Sequence, residues 1–244
     1  MGELTGVRLL LVLLAAGYGL ALGRLLPRAA YRLAVEPDEP WRAECPAGHP
    51  FTGWLGGPPC RTTSTATATA TVTATTSAAL AATTGPHPEL AVWLLLIPPA
   101  VLLAAVDTRV KRLPDVLTVP LAAGAAALLG AAALVPDHAG SWRHALLGGL
   151  ALGGAYFTLF LVNPGGLGFG DVKLAVGLGT VLGWYGWVTL FTGAFAGFLL
   201  GGGYGLALVV VRRAGRKDAI PFGPFMLGGA FLGLLIGSLA AQGA

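Results

Sequence analysis

Long apolar segments constrain the fold of this chain more than any other feature of its sequence. Each of six segments is apolar and nearly free of charge: residues 6–26, 89–106, 116–135, 144–162, 187–211 and 221–241. A helix needs about 20 mostly apolar residues to cross the hydrocarbon core of a bilayer. We therefore predict an all-α integral membrane protein, a polytopic bundle of transmembrane helices.

Charged residues are scarce throughout the sequence. They make up 11% of the 244 residues, against 55% hydrophobic residues, whereas an ordinary soluble domain carries about 25% charge. A soluble fold of this size could not cover its surface with so few charges. The composition therefore excludes a cytosolic globular enzyme, a nucleic-acid-binding module and a disordered chain, and it leaves membrane lipid as the surroundings.

Basic residues predict the direction in which the segments cross. Membrane proteins concentrate Lys and Arg in cytoplasmic loops. The basic stretches that we assign to the cytoplasm are residues 24–32, 109–112 and 212–217. The nearly neutral loop 136–143 is expected outside, and the short apolar segment 172–185 makes a further crossing together with the residues before it.

The alternation of sides requires one more crossing between residues 32 and 89. The only candidate is segment 62–84, which has no charge and consists almost wholly of Thr, Ala, Ser and Val. Threonine hydroxyls can bond back to helix carbonyls, so we predict a spanning helix, and the alternative is a flexible low-complexity linker. The bundle then has about eight transmembrane helices, or seven if this segment does not span.

Two parts of the chain are expected. Residues 1–88 hold the first span, a Pro- and Gly-rich cytoplasmic loop and the Thr/Ala-rich segment. Residues 89–244 form the main membrane domain.

Two aspartates stand at the ends of apolar runs, Asp107 after IPPAVLLAAV and Asp171 after NPGGLGFG. Ionisable groups in spans are costly and often functional. Two carboxylates at close range can divide the work of peptide hydrolysis, one ionised and one protonated. The structural alternative for Asp107 is an ion pair with Arg109 or Lys111. For Asp171 it is an N-cap role at a helix that begins at Val172.

Glycine dominates the segment before Asp171, at Gly165, Gly166, Gly168 and Gly170. Glycine adopts positive φ readily and permits close approach of the backbone. We expect this loop either to receive a substrate strand or to pack tightly. Lys173 follows within reach of the Asp171 carboxylate or of a helix carbonyl.

Three motifs together resemble the type IV prepilin peptidases, a family of intramembrane aspartic proteases. GFGDVKL is similar to the family's GxGD signature, and DTRVKRLPDVLTVPL to the segment that holds its first aspartate and its LPD pattern. IPFGPFMLGGAF is similar to its C-terminal IPFGP motif. The motifs occur in the family's order, and the resemblance covers roughly residues 89–241.

The resemblance implies roles for individual residues. Asp107 and Asp171 match the two catalytic aspartates, and Asp115 matches the aspartate of LPD. We interpret Asp115 as a turn and N-cap residue. It is also the alternative to Asp107 as the first catalytic aspartate. Substrate-binding or loop-shaping roles are implied for Gly168, Gly170, Lys173, Asp115, Pro221 and Gly223.

The resemblance also implies an activity. The enzyme would remove the short basic leader of prepilin or pseudopilin precursors at the edge of the bacterial cytoplasmic membrane. The alternative is an ion- or proton-coupled transporter that uses the same aspartates, because intramembrane acids often act as proton relays. Transport sites lie near the bilayer midplane, whereas both aspartates are expected at the cytoplasmic edge.

Family members that also methylate the new N-terminus carry two CxxC pairs in the N-terminal loop and use S-adenosylmethionine. Here Gly48 stands where the second cysteine of the first pair belongs, and Cys60 is all that remains of the second pair. Structural zinc usually has four ligands, and Cys45, His49 and Cys60 give three at most. We predict no metal and no cofactor, with S-adenosylmethionine required only if methyl transfer is retained.

Overall fold

A computed structural model of the protein describes residues 2–36, 39–56, 63–211 and 220–243. Within these ranges the chain is all-helical apart from one isolated bridge between Glu44 and Pro50. The described helices are α1 (Gly2–Gly23), α2 (Leu26–Leu33), α3 (Thr63–Thr84), α4 (Glu89–Val110), α5 (Asp115–Ala132), α6 (Trp142–Val162), α7 (Phe169–Gly183), α8 (Trp187–Val210) and α9 (Gly223–Gln242). The predicted all-α class is confirmed.

Six of these helices are long and apolar enough to cross a bilayer: α1, α4, α5, α6, α8 and α9. Their outer faces expose large apolar side chains, such as Leu13 (61% exposed), Leu150 (72%) and Val188 (79%). Helices that are hydrophobic all round are typical of membrane spans. The chain is therefore a multi-pass membrane protein.

The predicted count of about eight crossings is not confirmed. The α3 helix is long enough at 22 residues, but its threonines lower its hydropathy. The α7 helix has only 15 residues, and a full crossing needs about 17–25.

The helices group into two compact units, residues 1–110 and 111–244. In the first unit α3 packs along α1 and against α4. A Cβ atom added at Gly23 of α1 would lie 2.6 Å from the Ala70 Cα atom, so only glycine permits this approach. The Thr69 hydroxyl donates to the Gly23 carbonyl at 2.8 Å. Small residues with such interhelical bonds are typical of helix contacts in lipid.

The threonines of α3 bond back to their own helix, as the sequence predicts. The hydroxyls of Thr75 and Thr76 donate to the carbonyls of Thr71 (2.9 Å) and Val72 (2.7 Å). Each bond satisfies a polar group inside the helix that carries it. The segment is therefore a helix from Thr63 onward and not a flexible linker.

The short helix α2 was not predicted. Its arginines predict the cytoplasmic side of the membrane, and they also order the loop that follows. Arg28 and Arg32 donate to the carbonyls of Thr52 and Gly53, both at 2.8 Å. The Arg32 guanidinium lies 3.9 Å from the centre of the Trp54 ring, a cation–π contact. The described part of this loop, residues 39–56, is held by these contacts and is not helical.

The short helix α7 is the centre of the second unit. It packs against α5, α6, α8 and α9, and most of its residues are buried. A Cβ atom added at Gly148 of α6 would lie 2.5 Å from the carbonyl oxygen of Gly179 in α7. The two backbones therefore touch, and this contact fixes the helix that carries Asp171.

Candidate functional site

Asp171 lies in the first turn of α7, three residues after the N-cap Gly168. Its Oδ2 atom accepts a hydrogen bond from the Gly168 N–H at 2.9 Å. The Asp171 N–H donates in turn to the Gly168 carbonyl at 3.0 Å. The helix begins at Phe169, so the alternative in which Asp171 is the N-cap of a helix starting at Val172 is wrong. An acidic side chain at this third helical position bonds back to the N–H of the N-cap residue. The helix dipole stabilises negative charge at this end of the helix.

Gly170 is the point at which the LPD segment touches α7. A Cβ atom added there would lie 2.9 Å from the Leu113 Cβ atom and 3.2 Å from the Leu113 carbonyl oxygen. None of the four glycines before Asp171 has a positive φ. The requirement for glycine at position 170 comes from close approach alone.

Lys173 joins the same two segments a second time. Its Nζ atom lies 2.6 Å from Asp115 Oδ2, and the side chains of Lys173 and Asp115 are 27% and 66% exposed. Lys173 therefore reaches the LPD aspartate, and not a helix carbonyl or Asp171 as the sequence suggested. The N-cap of α5 is Pro114 and Asp115 is the first helical residue, so the helix begins one residue earlier than predicted and Asp115 is not its N-cap. Two motifs that are 58 residues apart thus form one site.

The Lys173–Asp115 pair can be tested by a double-mutant cycle. Because Asp115 is largely exposed, we expect Lys173→Met and Asp115→Asn to couple by about 0.2–1 kcal/mol, as exposed ion pairs do. Thermal unfolding of the two single variants and the double variant in detergent measures this coupling. Strictly additive losses would show that the pair does not hold the two segments together.

Asp107 lies near the C-terminal end of α4, which continues to Val110, four residues beyond the predicted end of the span. Its side chain is 3% exposed, and Val106 before it is fully buried. A buried carboxylate is costly unless it is compensated, and Asp107 is therefore a candidate functional residue. Asp107 belongs to the first unit and Asp171 to the second, and their predicted approach to one shared water stays a prediction.

The IPFGP segment leads into α9. Gly223, which is buried, begins the helix directly after Pro221 and the N-cap Phe222. The Phe222 ring centre lies 6.4 Å from that of Tyr156 on α6. Tyr156 is 2% exposed.

Sequence reasoning missed Tyr156 and its contact with the IPFGP segment. The sequence does contain one indication: Tyr156 is the only tyrosine in the apolar segment 144–162. A buried phenol hydroxyl normally has a polar partner. The structure therefore adds the contact between Tyr156 of α6 and the IPFGP segment.

The candidate metal ligands lie in the N-terminal loop. The Cys45 Sγ atom lies 3.4 Å from His49 Nδ1, and Cys60 lies outside the described residues. Over the described ranges, no group of three or more His, Cys, Asp or Glu side chains is arranged to hold a metal ion. The prediction of no bound metal stays a prediction.

Comparison with known proteins connects the site to a family. The sequence profile of the type IV leader peptidase family matches residues 94–238, more than half of the chain. The match includes Asp107, Asp115, Asp171 and the IPFGP segment. No solved structure matches this chain significantly.

Relatives with assigned names support the same family. A prepilin leader peptidase/N-methyltransferase of Aeromonas hydrophila is 33% identical over 65% of this chain, and the match spans 54% of that relative. One of Aeromonas salmonicida is 28% identical over 90% of this chain and 89% of the relative. Leader peptidase HopD of Salmonella typhimurium is 33% identical over 54% of this chain and 84% of the relative. The chain therefore belongs to the type IV leader peptidase family, a family of aspartic-type peptidases.

Proposed function

We propose that this chain is an intramembrane aspartic endopeptidase that removes the short basic leader of type IV prepilin-like precursors. The observation that carries the proposal is the junction of the LPD and GFGD segments through Leu113–Gly170 and Asp115–Lys173. It holds one aspartate of the family's pattern at a fixed helix N-terminus. The names of the relatives supply the class of substrate.

The proposed chemistry uses Asp171 and Asp107 with one water molecule. Asp171, held ionised at the N-terminus of α7, takes a proton from the water while the water oxygen attacks the carbonyl carbon of the scissile bond. Protonated Asp107 gives its proton to the carbonyl oxygen. The tetrahedral intermediate then breaks its C–N bond: the leaving amine takes the proton from Asp171, and one hydroxyl of the intermediate returns a proton to Asp107 as the carboxylic acid forms. The reaction needs no metal and no cofactor.

The proposed topology has eight crossings with both termini outside, and α3 and α7 are the two additions to the six apolar helices. In this topology the C-terminal end of α4 and the N-terminal end of α7 both face the cytoplasm. Asp107 and Asp171 then lie at the membrane edge where a basic leader meets its apolar helix.

Cysteine labelling tests the crossing by α3. Ala34 is buried, so the exposed Glu36 is the better site before α3, and the exposed Pro86 is the site after it. In a background without the native cysteines, we expect a membrane-impermeant maleimide to label Pro86→Cys in intact spheroplasts. Glu36→Cys should be labelled only after the membrane is opened. Labelling of both cysteines from the same side would show that α3 does not cross the membrane.

Co-expression tests the activity. The wild-type chain is expected to shorten a prepilin or pseudopilin precursor by its leader, as seen by gel mobility and by mass spectrometry of the product. Precursors from pili and from secretion systems should be compared, because the sequence does not select between them. A wild-type chain that cuts no member of this panel would contradict the proposed function.

Methyl transfer is expected to be absent or very weak. Losing a ligand opens a four-ligand zinc site to water and weakens it, and two of the family's four cysteine positions hold other residues here. Metal analysis of the purified protein should therefore find less than one zinc per chain. The new N-terminus of the product should be unmethylated with S-adenosylmethionine present. Stoichiometric zinc with a methylated product would show a rearranged site.

A further inference from the structure

The loop after α2 exposes three large apolar side chains, Trp41, Trp54 and Leu55, which we call the apolar loop face. Their exposed fractions are 48%, 39% and 59%. The two indole rings pack edge to face with their centres 5.0 Å apart. Exposed apolar groups that lie together mark a surface that contacts a membrane or another protein, so the surroundings of this face indicate its partner.

The apolar loop face adjoins the lipid-facing surface of α1. Leu20, near the end of α1, and Leu25, just after that end, are each 38% exposed. The Gly56 N–H donates to the Leu25 carbonyl at 2.9 Å, and the Arg28 N–H donates to the Gly56 carbonyl at 3.4 Å. These bonds hold the residue that follows Leu55 against the end of α1. The apolar surface that α1 presents to lipid therefore continues into the loop.

Two arginines border the apolar loop face. The Arg32 guanidinium lies 3.9 Å from the centre of the Trp54 ring, and that of Arg42 lies 4.6 Å from the centre of the Tyr31 ring. Among the described residues, neither arginine pairs with a carboxylate. Their hydrogen bonds to carbonyls use Nε and Nη1 of Arg32 and Nη1 of Arg42, so within the same part of the chain the Nη2 donors stay available. Guanidinium donors suit phosphate oxygens, which every phospholipid headgroup carries.

Net charge does not select the partner of this face. The described acidic side chains of the segment are all exposed: Glu36, Glu39 and Glu44. They offset most of the charge of its arginines, so a strongly acidic protein would gain little by binding here. A layer of phosphate groups over an apolar layer matches both the guanidinium donors and the indole rings, which concentrate at this depth in membrane proteins.

We propose that the apolar loop face lies in the headgroup layer of the membrane, with both indole rings and Leu55 inserted and with Arg32 and Arg42 beside lipid phosphate groups. Gly19 and Gly23 of α1 approach Thr73 and Ala70 of α3, respectively, so the two helices run antiparallel. Both ends of the loop therefore lie at the same end of this helix pair, where lipid headgroups surround it. Arginine can keep its apolar stem in this layer and extend its charged end to the phosphates.

A spin label measures the depth of the loop. The native cysteines are replaced in the full-length chain, and a nitroxide is attached at Leu55→Cys in vesicles of phosphatidylethanolamine and phosphatidylglycerol. Relative to collisions with a water-soluble nickel chelate, we expect this label to collide severalfold more often with oxygen than a label at Ala47→Cys. Ala47 is the matched control because it is exposed at a turn of the same loop. Equal, water-like collision ratios at the two positions would overturn the proposal.

A cross-link keeps the native cysteines and identifies the contact directly. A photoreactive phenylalanine analogue at position 55 of the otherwise wild-type chain is expected to cross-link to phospholipid in the same vesicles. The yield, measured by mass spectrometry, should be severalfold above that at position 47. Cross-links from position 55 only to a precursor protein, or only to a second copy of the chain, would overturn the proposal. Neither measurement requires cleavage of a precursor, so the apolar loop face and the proposed peptidase activity can fail independently.

Discussion

Asp171→Asn and Asp107→Asn are each expected to lower the rate of leader removal by about 10²- to 10⁴-fold, the usual contribution of a general acid or base. Asparagine keeps the size of the side chain but cannot accept or release the proton. At position 171 the amide oxygen can still accept the hydrogen bond from Gly168 N–H, so the first turn of α7 should persist. Initial rates on a purified precursor in detergent measure the loss.

The double variant separates joint action from independent action. Residues that act as a unit are strongly non-additive, so Asp107→Asn combined with Asp171→Asn should be little slower than either single variant. Asp115→Asn tests the rival assignment, because Asp115 is the aspartate of the LPD segment. If Asp115→Asn abolished cleavage and Asp107→Asn did not, Asp115 would be the second catalytic aspartate.

Gly148→Leu is expected to destabilise the second unit by about 3 kcal/mol, the upper end of the range for overpacked interiors. The leucine side chain would enter the backbone of α7 at Gly179 and Gly183. The α7 helix can only move away, and a shift of about 1 Å in a catalytic group can cost about 100-fold in rate. Thermal unfolding and the rate of leader removal should therefore fall together.

Gly154 provides the matched control on the same helix. It is exposed, and a Cβ atom added there would meet nothing within 4 Å. Leucine favours a helix over glycine by up to about 1 kcal/mol, so Gly154→Leu should be neutral or slightly stabilising. If Gly148→Leu were as stable and active as Gly154→Leu, the backbone contact of α6 with α7 would not hold Asp171 in place.

The helices were predictable because lipid imposes a simple rule on the sequence. Apolar runs of the required length gave α5 and α9 to within a few residues, and charge alternation led to the helix at 63–84, whose threonines hide its character. Helix α2 was not predicted, because eight residues are too few to show a clear helical periodicity. Its stability comes from packing of Leu26 and Leu33, which a sequence does not display.

The sequence was sufficient to predict which residues belong to the candidate site, but not which residues they contact. The motifs named Asp171, Gly170 and Lys173, yet both the reason for Gly170 and the partner of Lys173 lie 57 or more residues away in the LPD segment. Side-chain pairing across two helices depends on the packing of α5 against α7. Local spacing points only to local partners, and it therefore suggested Asp171 for Lys173.

The threonine-rich helix α3 bears on how the chain is inserted during synthesis. A translocon releases a segment into lipid according to its apolar side chains, and α3 has few large ones. In the proposed topology it would stay in the bilayer because Gly23 and Thr69 join it to α1, which leaves the ribosome first. Weakening that contact should therefore reduce the number of crossings even when every catalytic residue is present. Such a defect arises during membrane insertion, and no substitution in the catalytic site would correct it.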